Sequence, residues 1–416
     1  MTLMTAQPMT NSVLTIIFTV TNDLTYERRM HRICGTLATN GYTAQLIGRE
    51  LPESIPLEHK PFGQKRLRCF FNKGFSFYAE YNLRLFFFLL FAKYDAVCSI
   101  DLDTLPAGCF ATLLRGKKRV FDAHEYFTEV PEVVGRPFVK GFWAMVARVC
   151  LPFYKHAYTV GPELAKIFEK KYRLKFGVVR NVAARASPSL DPSHPTPPPT
   201  PPLKGRGDVE LSATLSRTPL PFRGGVGGGV EKDAEKVLLY LGALNEGRGL
   251  EQAIETMQHL DNVQLWLAGE GDLSDELRQL AVRLSVEDKV TFLGYVQPGD
   301  IPALVVRAWL GLNLFENLGL SYYYSLANKF FVYVQAGVPM LSMNFPEYHA
   351  LNTQHEVAIL LDKLSPEAVA EAVKKLLADK ELFARLQKNC LVAREEWNWE
   401  GEQETLLKLW RAVFTK

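Results

Sequence analysis

At 416 residues, with 47% hydrophobic and 22% charged residues, the chain has the size and balance of a soluble protein of two ordinary domains. A net charge of +3 is too small to argue for nucleic acid as a partner, though it permits contact with an anionic surface. The six cysteines show no CxxC pair and no ligand-like spacing to histidine, which points to reduced thiols in a cytoplasmic protein and away from a metal site or disulfide scaffold.

The apolar run 13–20 has no basic region before it and no small-residue cleavage site after it, so it reads as a first strand and not as a signal peptide. A helix is predicted over 25–40, a strand over 43–47, a helix over 75–93 and a strand over 96–100. A helix over 106–114, strands over 119–121 and 157–160, helices over 138–151 and 162–171, and a strand over 176–179 complete this half. The stretch LFFFLLFA at 85–92 is far shorter than the roughly 20 residues of a spanning helix. It reads as a core helix or, alternatively, as a segment lying on a lipid surface. Just before it, Lys65, Arg66, Arg68 and Lys73 interleave with Leu67, Phe70 and Phe71, a pattern that suits an anionic membrane surface as well as a solvated loop.

Between 184 and 236 proline and glycine dominate and apolar periodicity vanishes, as in a disordered linker. Alternation then resumes. Strands are predicted over 237–241, 263–268, 290–292, 310–315, 340–343 and 357–360. Helices are predicted over 249–260, 273–284, 300–308, 366–378, 380–395 and 401–414, with one more before the turn at Gly337 and Pro339. Strand–helix alternation on both sides of the linker implies two parallel sheets of Rossmann type with a cleft between them. The expected organisation is an N-terminal domain over 1–183, a linker over 184–236, a second domain over 237–400, and a last helix over 401–416 packing back on the first domain.

Ligands on parallel sheets bind beyond the carboxyl ends of the strands. In the first half those ends carry Asn22 and Asp23, Asp101 and Asp103, and then Asp122, His124 and Glu125. In the second half a helix starts near Asn328 and Lys329, where unpaired N–H groups, an amide and an ammonium suit a phosphate-bearing ligand or simply cap a surface helix.

The motifs VLLYLGALNEGRGLEQAIETM, LAGEGD, VTFLGYV and SLANKFFVYVQAGVPML follow one another in the second half. In that order they resemble family 4 of the retaining glycosyltransferases, and VTNDLTYERRMHRICGTLATNGYTAQLIG and VFDAHEYFTEVPE resemble the acceptor-side domain of bacterial members. The resemblance implies an α/β GT-B fold and retaining, metal-independent transfer of a sugar from a nucleotide-sugar donor. The acceptor would be a growing glycan, a lipid-linked glycan or similar, as in surface-polysaccharide assembly. It implies no cofactor beyond the donor, no nucleic acid, and a place in the cytoplasm or on the inner face of the membrane. A non-catalytic binding homologue and a nucleotide-sugar epimerase of the same fold remain alternatives.

By this resemblance, Arg248 and Lys329 would hold the diphosphate and His124 would face the transferred sugar. Gly242 and Gly249 bound one donor loop and Gly269 sits in another. Gly294, Tyr295 and Val296 match the loop that holds the nucleobase through backbone groups, and Ser325 and Asn328 open the donor helix. Asp23 and Glu125 are candidates for the acceptor side or for helix caps. Three departures stand out. Ala243 replaces an arginine usual beside the first glycine, and Tyr324 and Val332 replace a pair of glutamates eight positions apart, the second of which usually binds the donor ribose. Glu316, near the same cleft edge, is a candidate to compensate.

Overall fold

A computed structural model of the chain describes residues 13–185 and 236–415. The predicted linker lies outside them, apart from 184–185 and 236. In the first half the elements run β1 (Thr15–Thr19), α1 (Arg28–Thr39), β2 (Thr43–Glu50), β3 (Gly63–Arg68), α2 (Gly74–Phe91), β4 (Ala96–Ile100) and α3 (Leu105–Leu114). They continue as β5 (Lys118–Ala123), α4 (Pro131–Val134), α5 (Pro137–Cys150), β6 (His156–Thr159), α6 (Pro162–Tyr172) and β7 (Phe176–Val178). The second half begins β8 (Lys236–Leu241), α7 (Leu250–Thr256), β9 (Val263–Ala268), α8 (Ser274–Arg283), β10 (Val290–Gly294), α9 (Ile301–Val305) and β11 (Leu310–Asn313). It ends α10 (Leu320–Tyr323), α11 (Asn328–Gln335), β12 (Met340–Met343), α12 (Pro346–Gln354), β13 (Ala358–Leu361), α13 (Pro366–Ala378), α14 (Lys380–Glu396) and α15 (Trp399–Phe414).

All pairings are parallel. The first sheet has the order β3-β2-β1-β4-β5-β6-β7 and the second β10-β9-β8-β11-β12-β13. In each, the chain reverses direction across the sheet beside its first strand, the place where doubly wound sheets open a crevice. Central strands are apolar throughout because both faces are covered: β4, AVCSI, is buried at all five positions. Residues Ile16 and Phe18 pack toward α1, while Ile17 joins the cluster under α2 and α3. Helix α15 returns to the first half. Its Trp410 ring meets Phe18 at 5.5 Å, and Trp399 Nε1 donates to Thr36 Oγ1 at 3.0 Å.

Three expectations change. The basic stretch around Lys65–Arg68 is no loop but the edge strand β3, whose pairing with β2 outweighs its polarity. The apolar run 85–92 belongs to α2, yet only Phe77, Tyr81, Leu85 and Leu89 of that helix are buried. Helix α12 had not been foreseen, since its sequence, PEYHALNTQ, has hardly any apolar periodicity.

Candidate active site

The carboxyl ends of both sheets face one cleft of about 600 Å³, within the range of small-molecule sites. On the second-half side the wall is built from glycine. Gly269 has φ +151°, and a Cβ there would lie 1.9 Å from the Gly242 carbonyl oxygen, so only glycine lets these two strand ends meet. Gly249 has φ +67° and would clash with the Leu314 carbonyl. The loop from Gly242 to Gly249 can therefore fold over the end of β8 and start α7 without side chains closing the cleft.

Two cations stand at this wall, Arg248 lining the cleft and Lys329 behind Gly242. Lys329, in the first turn of α11, is 8% exposed. Its Nζ lies 3.6 Å from the Tyr240 ring centroid and 5.3 Å from that of Phe315. Lys329 sits directly under Gly242, whose added Cβ would be 3.8 Å from both Cε and Nζ. Burial, and after it the charge of Arg248, holds its ammonium well below the usual lysine range. Arg248 places its guanidinium 4.8 Å from each of the Phe315 and Tyr322 centroids, and its buried Nε has no partner. Neither cation has a carboxylate within ion-pair distance among the described residues. Two adjacent, partly desolvated positive groups without counter-charge are what an anionic ligand would neutralise. Helix α11 is held in place by Tyr333, whose hydroxyl donates to the Leu239 carbonyl at 2.9 Å, and by Ala327 N–H donating to the Tyr348 hydroxyl at 3.0 Å.

On the first-half side a polar chain leads into the cleft. Arg29, in the first turn of α1, donates from Nη1 to the Val179 carbonyl at 2.8 Å and from Nη2 to Asp122 Oδ1 at 3.2 Å. Asp122 Oδ2 lies 3.0 Å from His124 Nε2. The carboxylate can only accept, so Nε2 carries the proton. The His124 amide in turn donates to Asp101 Oδ1 at 2.8 Å. Burial opposes a charged imidazole at His124, but the Asp122 carboxylate and its hydrogen bond outweigh it and raise the pKa. Burial likewise opposes ionisation of Asp122, yet Arg29 and His124 keep it below the usual carboxylate range. Asp103, buried and bonded to the Thr21 hydroxyl, is pushed up to about 7 by desolvation. Glu125 is raised by desolvation and then by Glu132, against His124 and Arg248.

The structure thus brings His124, Glu125, Gly242, Arg248, Gly269, Tyr295, Val296, Ser325 and Asn328 to one cleft, with Lys329 immediately behind Gly242. Besides Lys329, five candidates do not line it. Asp23 caps the short 3-10 turn Leu24–Tyr26 by accepting from Thr25 N–H, and it pairs with Arg66 at 2.6 Å. Its charge is used locally. Gly249 caps α7 against Leu314, and Gly294, at φ +65°, ends β10 beside Glu270. Glu316 lies against the glycine loop, donating its N–H to the Gly247 carbonyl, and desolvation, then Glu251 and Glu246, raise its pKa. It is not among the residues that line the cleft. Val332 packs against the hydrophobic core. Sequence reasoning missed Arg28, Arg29 and Asn181, which line the first-half side. The paired arginines at the first helix after the first strand end were the available signal. Among the described residues no three His, Cys, Asp or Glu side chains converge as metal ligands.

Residues 228–390 match the sequence model of the family described as Glycosyl transferases group 1. The lipopolysaccharide core biosynthesis glycosyltransferase LpsE of Rhizobium meliloti is 29% identical over 151 residues, covering 36% of this chain and 42% of that protein. The alignment thus spans less than half of this relative's length. Among solved structures, sucrose-phosphate synthase of Thermosynechococcus elongatus superposes with a TM-score of 0.71 at 15% identity, covering 96% of this chain and 99% of the other. Anabaena HepE, crystallised with UDP-glucose, gives 0.67 at 13% identity, with coverage of 96% and 100%. Residues 228–390 therefore match a group 1 glycosyltransferase domain, and the chain has a GT-B fold of two facing parallel-sheet halves.

Proposed function

We propose that the chain transfers a sugar from a nucleotide-sugar donor to a glycan, lipid-linked or similar acceptor, with retention of anomeric configuration and without a metal ion. The observation that carries this reading is the pair Arg248 and Lys329, two cations with no counter-charge among the described residues, set at a glycine wall of the cleft. Fixed positive groups aimed at a leaving diphosphate stabilise the charge that develops as the glycosidic bond breaks. Here they would do so with no reorganisation, since the aromatic rings of Tyr240, Phe315 and Tyr322 hold them.

The other residues then take roles that their positions allow. Tyr295 and Val296 border the space for a nucleobase, and Ser325 and Asn328 the space for sugar or phosphate oxygens. His124, fixed by Asp122, which also raises its pKa, positions and polarises a sugar or acceptor hydroxyl. Attack would come on the same face as departure, with the leaving diphosphate accepting the acceptor's proton. The donor class is supported by the HepE complex with UDP-glucose, and the acceptor class by the similarity to LpsE, a lipopolysaccharide core biosynthesis glycosyltransferase.

A thermal-shift panel of UDP, GDP and ADP tests the donor site. Stabilisation by one of them is expected, and none by any would remove the reading. The valine at 332, where the family resemblance implies an acid, favours a second reading as a non-catalytic nucleotide-binding homologue. Stabilisation by a diphosphate with neither transfer nor donor hydrolysis would select it.

A further inference from the structure

Helix α2 is apolar on two sides, interrupted by Glu80, Asn82 and Arg84, which suits a helix packed on a core with a second face toward lipid. Phe77, Tyr81, Leu85 and Leu89 form its inner stripe. On the opposite side Phe75, Leu83, Phe87 and Phe91 form a second stripe that faces solvent, with Phe91 83% exposed. The neighbouring helices repeat the pattern. Helix α3 lies between α2 and α5 and touches both, and it exposes Phe110 and Leu114 one turn apart. Helix α5 exposes Phe138, Met145 and Val149 at helical spacing, with Phe138 94% exposed. The Phe75 and Phe142 rings meet at 5.7 Å and join the start of α2 to the start of α5. The result is an apolar surface spread over three adjacent helices, of the kind that marks an interaction site.

Charge decides what covers it. The three helices carry a single acid, Glu80, which pairs with Arg84 and accepts from the N–H groups of Phe70 and Phe71. Around the patch stand Lys73, Lys93, Arg136 and Arg148, all exposed and without a carboxylate partner among the described residues. A second copy docked symmetrically would bring these like charges together. An anionic headgroup layer would neutralise them while the phenylalanines enter the acyl boundary. No helix among the described residues is long and apolar enough to cross a membrane, so the contact would be peripheral.

We propose that the outer face of α2, α3 and α5 is a docking surface for an anionic lipid bilayer. Helices in a parallel α/β half start at the carboxyl edge of the sheet, where the cleft lies. The starts of α2 and α5, with Phe75 and Phe138, therefore place the membrane at the cleft rim, where a lipid-borne molecule can reach the site. This inference does not rest on the transferase reading, which the diphosphate panel tests separately.

The test is co-sedimentation of the full chain with vesicles of phosphatidylglycerol and phosphatidylcholine, and of phosphatidylcholine alone, at low salt. Binding to the anionic vesicles only is expected, and it should weaken as salt rises. The double variant Phe87→Glu, Phe91→Glu is expected to lose roughly tenfold or more in partitioning per side chain. Lys93→Ala with Arg148→Ala should lose roughly fivefold per charge, and these exposed positions leave the fold intact. Light scattering reports the oligomeric state of each protein. Failure of the wild type to pellet with anionic vesicles would overturn the proposal, as would equal pelleting by all variants. So would a solution dimer that the phenylalanine variants turn into a monomer, which would assign the face to a second copy.

Discussion

Replacing Lys329 by methionine separates the anion-site reading from a structural one, because the two predict opposite signs. The ammonium is 8% exposed, rests on the Tyr240 ring at 3.6 Å and has no carboxylate partner among the described residues. An uncompensated buried charge destabilises the folded state, and a cation–π contact of about 1–2 kcal/mol offsets only part of that. Lys329→Met keeps the length and apolar contacts of the stem, so the ligand-free protein should be as stable or more stable, by about 1–3 kcal/mol. Binding should move the other way. A charge-assisted contact to a phosphate oxygen is worth roughly 1.5–3 kcal/mol, so diphosphate affinity should fall roughly tenfold to a hundredfold.

The pH dependence follows from the same geometry. The folded pKa of Lys329 lies below its unfolded value, so between the two the unfolded chain binds more protons and this group makes stability rise with pH. A bound diphosphate would favour the ammonium and raise that pKa. Binding should then take up a proton, and affinity should fall as pH climbs above the ligand-free value. Melting curves with and without UDP, GDP and ADP, with calorimetry in buffers of different ionisation enthalpy, measure all three effects. A variant that melts lower than wild type and keeps the full diphosphate shift would refute the reasoning.

Asp122→Asn should lower the His124 titration midpoint seen by NMR, since the carboxylate is what lifts it, and an unchanged midpoint would break the proposed chain. The same change strands Arg29 and should destabilise by roughly 3–5 kcal/mol in chemical denaturation. Gly269→Ala meets the Gly242 carbonyl at 1.9 Å and should destabilise by more than about 2 kcal/mol, whereas Gly35→Ala, inside α1 with nothing within 4 Å, should stabilise by about 0.5–1 kcal/mol. Glu347 of α12 accepts from the N–H groups of Glu163 and Leu164 at the start of α6, tying the two halves together, and desolvation pushes its carboxyl up to about 7. A raised carboxyl binds more protons folded than unfolded, so its share of stability is lost as pH rises from its unfolded value near 4.5 through about 7. Glu347→Gln should flatten the melting temperature over that range, and an unaltered pH profile would count against it.

Much of the fold was legible because parallel strands buried on both faces are apolar runs, and the helices between them are amphipathic. The strands Ala96–Ile100 and Met340–Met343 and the helix Pro366–Ala378 were read at their observed bounds. The edge strand β3 was not, since a strand with one exposed side can be basic. In the site, glycines next to strand ends were visible as permissive backbone, and Arg248 as a cation beside them. Whether a polar residue turns inward was not visible. Asp23 and Glu125 both follow strand ends, yet one is absorbed by Thr25 and Arg66 and the other borders the cleft.

The local pattern of the chain by itself determined two α/β halves and the glycine-framed strand ends between which a ligand would lie, because periodicity and backbone freedom are properties of neighbouring residues. Only the tertiary structure decided that Lys329 is buried under Gly242 without a counter-charge, that Asp122 links Arg29 to His124, that Val332 joins the core, and that α2 shows a second apolar face to solvent. Burial, desolvation and pairing depend on groups far apart in sequence, Arg29 and Asp122 being 93 residues apart, and those are set only when helices such as α1 pack against their sheet.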